Sequence, residues 1–349
     1  MRHRKFSGFA MRPRRYVTIL VAAVCTILAF VTACGGSQSA GGSKVSVTMG
    51  NDSTPDVAYL PLAMAMKKLG DAYSVQKDIQ FSGTDLALQA LSQNKIQFMS
   101  VPIPQAASAL AKLPGIRVIG TRSNNQWTFL AKSSITDCGQ LDGRNVGLFS
   151  TKGVSTAYVD MYFKQECPGI EPHTIITADS TLRRQSLVGG QLDATPLQAT
   201  DAVQVLAKDS TGFHELTSFA TELPDIGRDV VLTNETMLTD HPDVVRAFLT
   251  AQLDAIRSLY KDPKTVAART KELLADAVPA NVDEISNYFV THKLWCANGG
   301  LDDANIADSL KTFGEAGFNP SDVTAEKLVD KTAMNAVLGQ LGKSEATAC

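Results

Sequence analysis

The segment FSTKGVSTAY, Phe149 to Tyr158, joins a β-rich run to a helical pattern through small hydroxylic residues and a glycine. Free backbone N–H groups at a helix start welcome an anionic or strongly polar ligand group, because the helix dipole and the unpaired donors point the same way. Capping the helix is the competing role for the same side chains. A second loop of similar chemistry, GNDSTPD from Gly50 to Asp56, precedes a helix beginning near Val57. There Asn51, Ser53 and Thr54 can cap that helix or reach a ligand. Asp52 and Asp56 place negative charge in this loop, which disfavours a simple inorganic anion and suits an amine-bearing or neutral ligand. The order Lys-Gly, with no G-x-x-x-x-G-K-[ST], rules out a P-loop.

Other chemistry-bearing residues stand alone. Trp127 can stack on a flat ligand or pack between structural elements. Arg228 can grip a carboxylate or sulfonate bidentately, or pair with Asp225 or Asp229. Trp295, beside Cys296, reads as core. The histidines His3, His173, His214, His241 and His292 share no spacing, and neither G-x-S-x-G, H-E-x-x-H nor a cysteine-histidine signature is present. No catalytic residue, metal site or cofactor is therefore assigned, although catalytic groups that converge only in three dimensions stay open.

The N-terminal residues read as a signal for export from the cytoplasm. Arg2, Arg4, Lys5, Arg12, Arg14 and Arg15 precede the apolar run Val17 to Ala33, which reads as a secretion signal over 1–33. Met11, followed by RPRRY, is an equally good start. A membrane anchor is the rival reading, but the run falls short of the ~20 apolar residues a spanning helix needs. Residues 34–43 begin with Cys34 and continue as GGSQSAGGS, a flexible tether with a reach of roughly 15 to 20 Å. Without the leader's basic residues, 27 Lys and Arg face 35 Asp and Glu, a net charge near −8, so nucleic acid is not an expected partner.

With Cys25 in the signal and Cys34 at the cleavage point, Cys138, Cys167, Cys296 and Cys349 remain, an even number that permits three disulfide pairings. Cys138 with Cys167 and Cys296 with Cys349 is the favoured pairing, because each bond then stays within one lobe. A metal site is the alternative, but no C-x-x-C or histidine spacing supports it.

The elements that must hold these residues come in two series. From Lys44, short β-rich runs alternate with helical patterns, and a second series repeats the order from RNVGLFS onward. LALQALSQNKIQFMSV and SLVGGQLDATPL mark the repeat, with Leu86 matching Leu182 and Gln89 matching Gln185, 96 positions apart. Each copy reads as a helix ended where a residue can turn left-handed, Asn94 in the first and Gly189 or Gly190 in the second, and a short buried strand. Helix-covered, largely parallel sheets follow, and the loops beyond the carboxyl ends of their strands line a ligand crevice. Ser100, Val101 and Pro102 would thus face Pro196, Leu197 and Gln198 across a cleft.

NNQWTFLAKSS and DIGRDVVLTNETML read as extended crossings between the lobes, so the expected division is 44–126 with 228–349 as lobe 1 and 127–227 as lobe 2. Thr239, Asp240 and Pro242 read as the start signal of a helix over Val244 to Tyr260, and the helices beyond it are expected to return to lobe 1.

These stretches, together with DSTPDVAYLPLAMAMKKLG, LDGRNVGLFSTKGVSTAYVDMYF and HPDVVRAFLTAQLDAIRSLYKDP, resemble the type II solute-binding proteins of ABC importers, in the group for nitrate, alkanesulfonates, taurine and thiamine-pyrimidine precursors. The resemblance implies an α/β, two-lobed type II periplasmic-binding-protein fold with a two-crossing hinge, and a monomer that passes a small organic solute to an ABC permease. In that family the Phe149–Tyr158 turn contacts ligand, which implicates Ser150, Thr151, Gly153, Val154, Ser155 and Thr156. One or two of Asn51, Ser53 and Thr54 reach the cleft, and Gly83, Thr84, Ser100, Val101, Pro102, Trp127, Gln198 and Arg228 complete the expected ligand set. Val31-Thr32-Ala33-Cys34 resembles the bacterial lipoprotein box, which implies lipidation of Cys34 and anchoring to the outer face of the cell membrane. A sensor feeding a membrane receptor, or an enzyme on the same scaffold, are the alternatives.

Overall fold

Short β-branched runs and the helical patterns between them pair into two five-stranded sheets, each covered by helices, in the computed structural model of the chain. It describes residues 44–151, 153–177, 180–275, 278–318, 322–346 and 349. The expected signal, Cys34 and the tether lie outside the described residues. Among those described, no helix is long and apolar enough to cross a membrane.

The first sheet has the order β4-β2-β5-β12-β6, with β2 Met49–Asn51, β4 Ile79–Gln80, β5 Phe98–Pro102, β6 Ile116–Ser123 and β12 Asp229–Asn234. The second has the order β11-β7-β10-β8-β9, with β7 Trp127–Lys132, β8 Asn145–Leu148, β9 His173–Ile176, β10 Ala194–Gln198 and β11 Phe213–Ser218. A small parallel pair joins β1 Ser46–Val47 to β3 Ser74–Val75. Helices α1 Leu60–Leu69, α2 Thr84–Ser92 and α3 Ile103–Leu110 accompany the first sheet, and α4 Val154–Glu166, α5 Ser180–Val188, α6 Ala199–Lys208 and α7 Phe219–Glu222 the second. After β12 come α8 Glu235–Asp240, α9 Pro242–Lys261, α10 Thr265–Leu273, α11 Val282–Thr291, α12 Asp303–Glu315, α13 Ala325–Leu328 and α14 Thr332–Leu341.

The repeat is structural. α2 and β5 recur as α5 and β10 with both ends of each moved by 96 positions, and α3 and α6 start at the same offset. The helix-ending residues occupy the left-handed region, Asn94 at φ 54° and Gly190 at φ 78°.

The sheets are mixed rather than largely parallel. β12 runs antiparallel to β5, with Asp229 beside Pro102, and β7 runs antiparallel to β10, with Trp127 beside Gln198. A strand arriving from the other lobe enters at the carboxyl end of the central strand, so it can only run back along it. The second extended reading also stops early: Asn234 accepts the Met237 N–H and caps α8, so the ETML residues that follow it are helical. Thr239 and Asp240 belong to the end of that helix, and α9 starts on Pro242 without a side-chain cap.

Alternating faces of these elements fill the two cores. Phe98 stacks on Phe248 of α9 at 4.1 Å, and Trp295 is fully buried, donating its indole N–H to the Ala58 carbonyl at 3.2 Å. In the second core Tyr158 stacks on Phe219 at 5.2 Å and meets the edge of Phe313 at 5.7 Å. Phe313 belongs to α12, so part of the returning chain buries its apolar face against the second sheet's cluster. The cysteines pair as Cys138–Cys167 and Cys296–Cys349.

At the second crossing Gly227 has φ 70°, and an added Cβ would lie 1.8 Å from the Tyr158 hydroxyl, which itself donates to the Ile226 carbonyl at 2.8 Å. Gly190 has open space instead. Gly227→Ala is expected to lower stability by about 3 kcal/mol, and Gly190→Ala by about 1 kcal/mol, read from urea midpoints at a shared slope. Equal losses would mean that the Tyr158 contact does not matter.

Candidate functional site

A cavity of about 850 Å³ opens between the two lobes, lined from the first by the turn after β2, the start of α2 and the ends of β5 and β6, and from the second by Trp127, the turn before α4, the start of α5 and Gln198. The repeat explains this placement, since Pro102 and Gln198 are equivalent strand ends that turn directly into α3 and α6. A smaller cavity of about 370 Å³ lies between α4 and β9 on the second lobe, without the convergent polar groups of the first.

Of the residues expected from sequence, Ser53, Thr54, Gly83, Thr84, Ser100, Val101, Pro102, Trp127, Gly153, Val154, Ser155 and Gln198 line the larger cavity. Asn51, Ser150, Thr151, Thr156 and Arg228 do not. Asn51 donates to Asp78 at 3.2 Å, and Tyr59 donates to the same carboxylate at 2.5 Å, so that side chain holds the loop base. Thr156 donates to the Ser150 carbonyl at 2.6 Å, closing the turn on itself. Arg228 is buried against Asp225 and the Gly300 carbonyl, the structural pairing open to it from sequence.

The floor holds an ion pair whose arginine was not expected from sequence and whose aspartate was expected only as a partner of Arg228. Arg122, at the end of β6, forms an ion pair with Asp229 at the start of β12. Asp229 also accepts from Gln126 at 3.3 Å, so it joins both crossings to the cavity floor. Asn125 ties the crossings from the other side, donating to the carbonyls of Phe219 and Leu223 at 3.1 Å each. Arg183 of α5 is fully buried; its guanidinium carbon lies 5.8 Å from the Trp127 ring centroid while Nε donates to the Pro196 carbonyl at 3.1 Å. Trp127 thus packs within its lobe on Arg183 and faces the cavity as well. No local pattern marks Arg122 or Arg183, because each shares its element with a second arginine, Arg117 or Arg184, and nothing in the spacing says which of the two lines the cavity.

Asp56 reaches across the cleft. One carboxylate oxygen caps the helical turn at Ala58 N at 3.1 Å, and the other accepts from the Thr200 hydroxyl of α6, in the opposite lobe, at 3.3 Å. Burial raises its pKa above the usual carboxylate value, Arg122 pulls it back in part, and Asp229 pushes it up again. For Arg122, burial lowers the pKa, but Asp229, Asp56 and Asp52 outweigh it and hold the guanidinium above its ordinary value. Among the described residues no group of three His, Cys, Asp or Glu is arranged to hold a metal ion.

Comparison with known proteins follows this geometry. The family model described as NMT1/THI5 like matches residues 79–266. A sequence comparison with curated proteins gave no significant match. Among solved structures, the ligand-binding component of an ABC-type import system from Staphylococcus aureus with zinc bound superposes with a TM-score of 0.67 at 14% identity, covering 84% of this chain and 99% of that one. The periplasmic nitrate-binding protein NrtA from Synechocystis PCC 6803 gives a TM-score of 0.67 at 11% identity over 86% and 89% of the two chains. The periplasmic aliphatic sulphonate binding protein SsuA from Escherichia coli gives a TM-score of 0.62 at 16% identity over 83% and 93%. At these identities the likeness establishes the fold, which is the two-lobed periplasmic-binding-protein fold.

Because the folded chain holds the Asp56 proton more tightly than the unfolded chain, stability is expected to fall as pH rises from about 4 through the raised value. Asp56→Asn removes that titration, so the variant should gain on the parent over the same window in urea unfolding at a series of pH values. A pH-independent difference between them would contradict the burial effect.

Proposed function

Since the chain belongs to the NMT1/THI5-like family, we propose that it is an extracytoplasmic solute-binding lipoprotein that captures a small organic solute between its lobes and delivers it to an ABC permease. The observation that carries this reading is the cavity itself. It is lined by equivalent turns of two repeated half-structures, which are joined by two adjacent crossings. Such a site works by differential affinity: a solute touching both lobes binds the closed form better than the open one, and shifts the population by that difference alone. Asn125 and Asp229 keep the crossings together while the lobes rotate, and the Asp56–Thr200 hydrogen bond is a contact that closure makes and opening breaks.

The permease recognises the closed surface. Cys34 supplies the lipid anchor at the outer face of the membrane, and the two disulfides suit that oxidising compartment. On this reading the protein acts as a monomer and releases its solute unchanged.

Native mass spectrometry of the full chain purified from its own host is expected to show one unmodified solute per protein, and small-angle scattering to show a smaller radius of gyration with it bound. Trp127→Ala should weaken that binding roughly tenfold, the loss expected for one aromatic contact. A solute converted to product would make the protein an enzyme. A bound solute in a genomic setting without permease and ATPase genes would make it a sensor.

A further inference from the structure

The charged side chains around the cavity differ in what they already touch. Arg122 is paired with Asp229, and Arg183 donates to the carbonyls of Pro196 and Thr177 at 3.1 and 3.2 Å beneath Trp127. Three carboxylates have no ion-pair partner among the described residues. Asp52 accepts a hydroxyl from Thr84 at 2.6 Å, Asp56 accepts the neutral donors of Ala58 and Thr200, and Asp85 is exposed in the first turn of α2. All three line the cavity from the first lobe.

Two hydroxyls add an independent mark of an absent polar partner. Ser100 is 8% exposed and Ser155 1% exposed, both line the cavity, and neither Oγ has a hydrogen-bond partner among the described residues. A buried hydroxyl without a partner is unfavourable, so a ligand that supplies one is favoured there. Ser155 lies in the first turn of α4, whose N-cap Gly153 provides no side-chain cap.

The geometry points to an amine-bearing solute, its ammonium group seated among Asp52, Asp56 and Asp85 of the first lobe and its polar remainder meeting Ser100 and Ser155 alongside Trp127. This rests on the reading of the cleft as a solute site, and it gives that solute a charge. Arg122 acts on Asp56 and Asp52 without forming an ion pair with either and is itself paired with Asp229, so an ammonium supplies these carboxylates with the close partner they lack, whereas a nitrate or sulfonate would be desolvated beside them. Burial raises the Asp56 pKa, and a cation seated beside it acts in the opposite direction, favouring the carboxylate. The first turn of α4 offers donors to an acceptor at the solute's other end, so such a solute touches both lobes with opposite ends.

The test is calorimetric titration of the full chain with a matched series, benzylamine, benzyl alcohol and benzenesulfonate, repeated on the Asp52→Asn/Asp85→Asn double variant and on Ser155→Ala. Both aspartates are at the surface of the cavity, and an unchanged thermal midpoint checks that the double variant is folded. Benzylamine is expected to bind at least ten times more tightly than the alcohol, with benzenesulfonate weakest. The double variant should lose that preference, while Ser155→Ala should leave it unchanged, because neither probe carries a polar group at the end that meets the second lobe. Benzenesulfonate binding as tightly as the amine, or an amine preference that survives the double variant, would overturn the proposal. A solute without an amine, found on the protein by native mass spectrometry, would also overturn it yet leave the solute-binding reading standing. A cleft that carries no solute and takes none of the three probes would remove both.

Discussion

The Arg122–Asp229 ion pair is the constraint on which the arrangement between the lobes depends. Both residues sit at strand ends in the first sheet, with side chains 15% and 10% exposed, so each charge has given up most of its water. A charge buried to that degree is tolerable only while its partner is held in place, because the partner left behind would keep its desolvation penalty. The pair therefore pins the end of β6, where the chain leaves the first lobe, to the start of β12, where it returns. Gln126 hydrogen-bonds the same carboxylate, which brings the outgoing crossing to the same point.

From that point the cavity follows by repetition. Each half-structure presents the turn after a central strand, Pro102 into α3 and Gln198 into α6, and each receives the other lobe's crossing strand beside it. The crossings consequently enter at the edge where ligands bind in open α/β sheets. The hinge and the site are neighbours for the same topological reason, and a ligand that touches both walls acts directly on the angle between them. The returning helices add a further link, since Phe313 of α12 lies in the second core against Tyr158 and Phe219.

Much of this was legible in the chain. The 96-residue offset is carried by matching apolar positions and by the need for a left-handed residue at Asn94 and Gly190, which are local requirements. The hydroxyl-rich turns announced themselves by composition, and Ser53, Thr54 and Ser155 do line the cavity. Thr156 and Ser150 look identical in sequence, but the first is turned inward to close the loop on the carbonyl of the second. Arg228 and Arg122 show the same limit. Each is an arginine at the edge of a crossing, and only the tertiary structure decides that Arg228 meets Asp225 and the Gly300 carbonyl while Arg122 meets Asp229 at the cavity floor.

Local sequence thus determined the kinds of element, their order, the duplicated units and the loops rich in hydrogen-bonding groups, since periodicity, turn chemistry and capping act over a few residues. Tertiary structure alone decided the antiparallel entry of the crossing strands, the partners of each buried charge and the orphaned hydroxyls of Ser100 and Ser155. These depend on which surfaces meet across a hundred residues of chain. Whether a charge finds its opposite is a property of that meeting and not of the residue, and in this protein it is what distinguishes Asp229, paired with Arg122, from Asp52 and Asp85, which form no ion pair among the described residues.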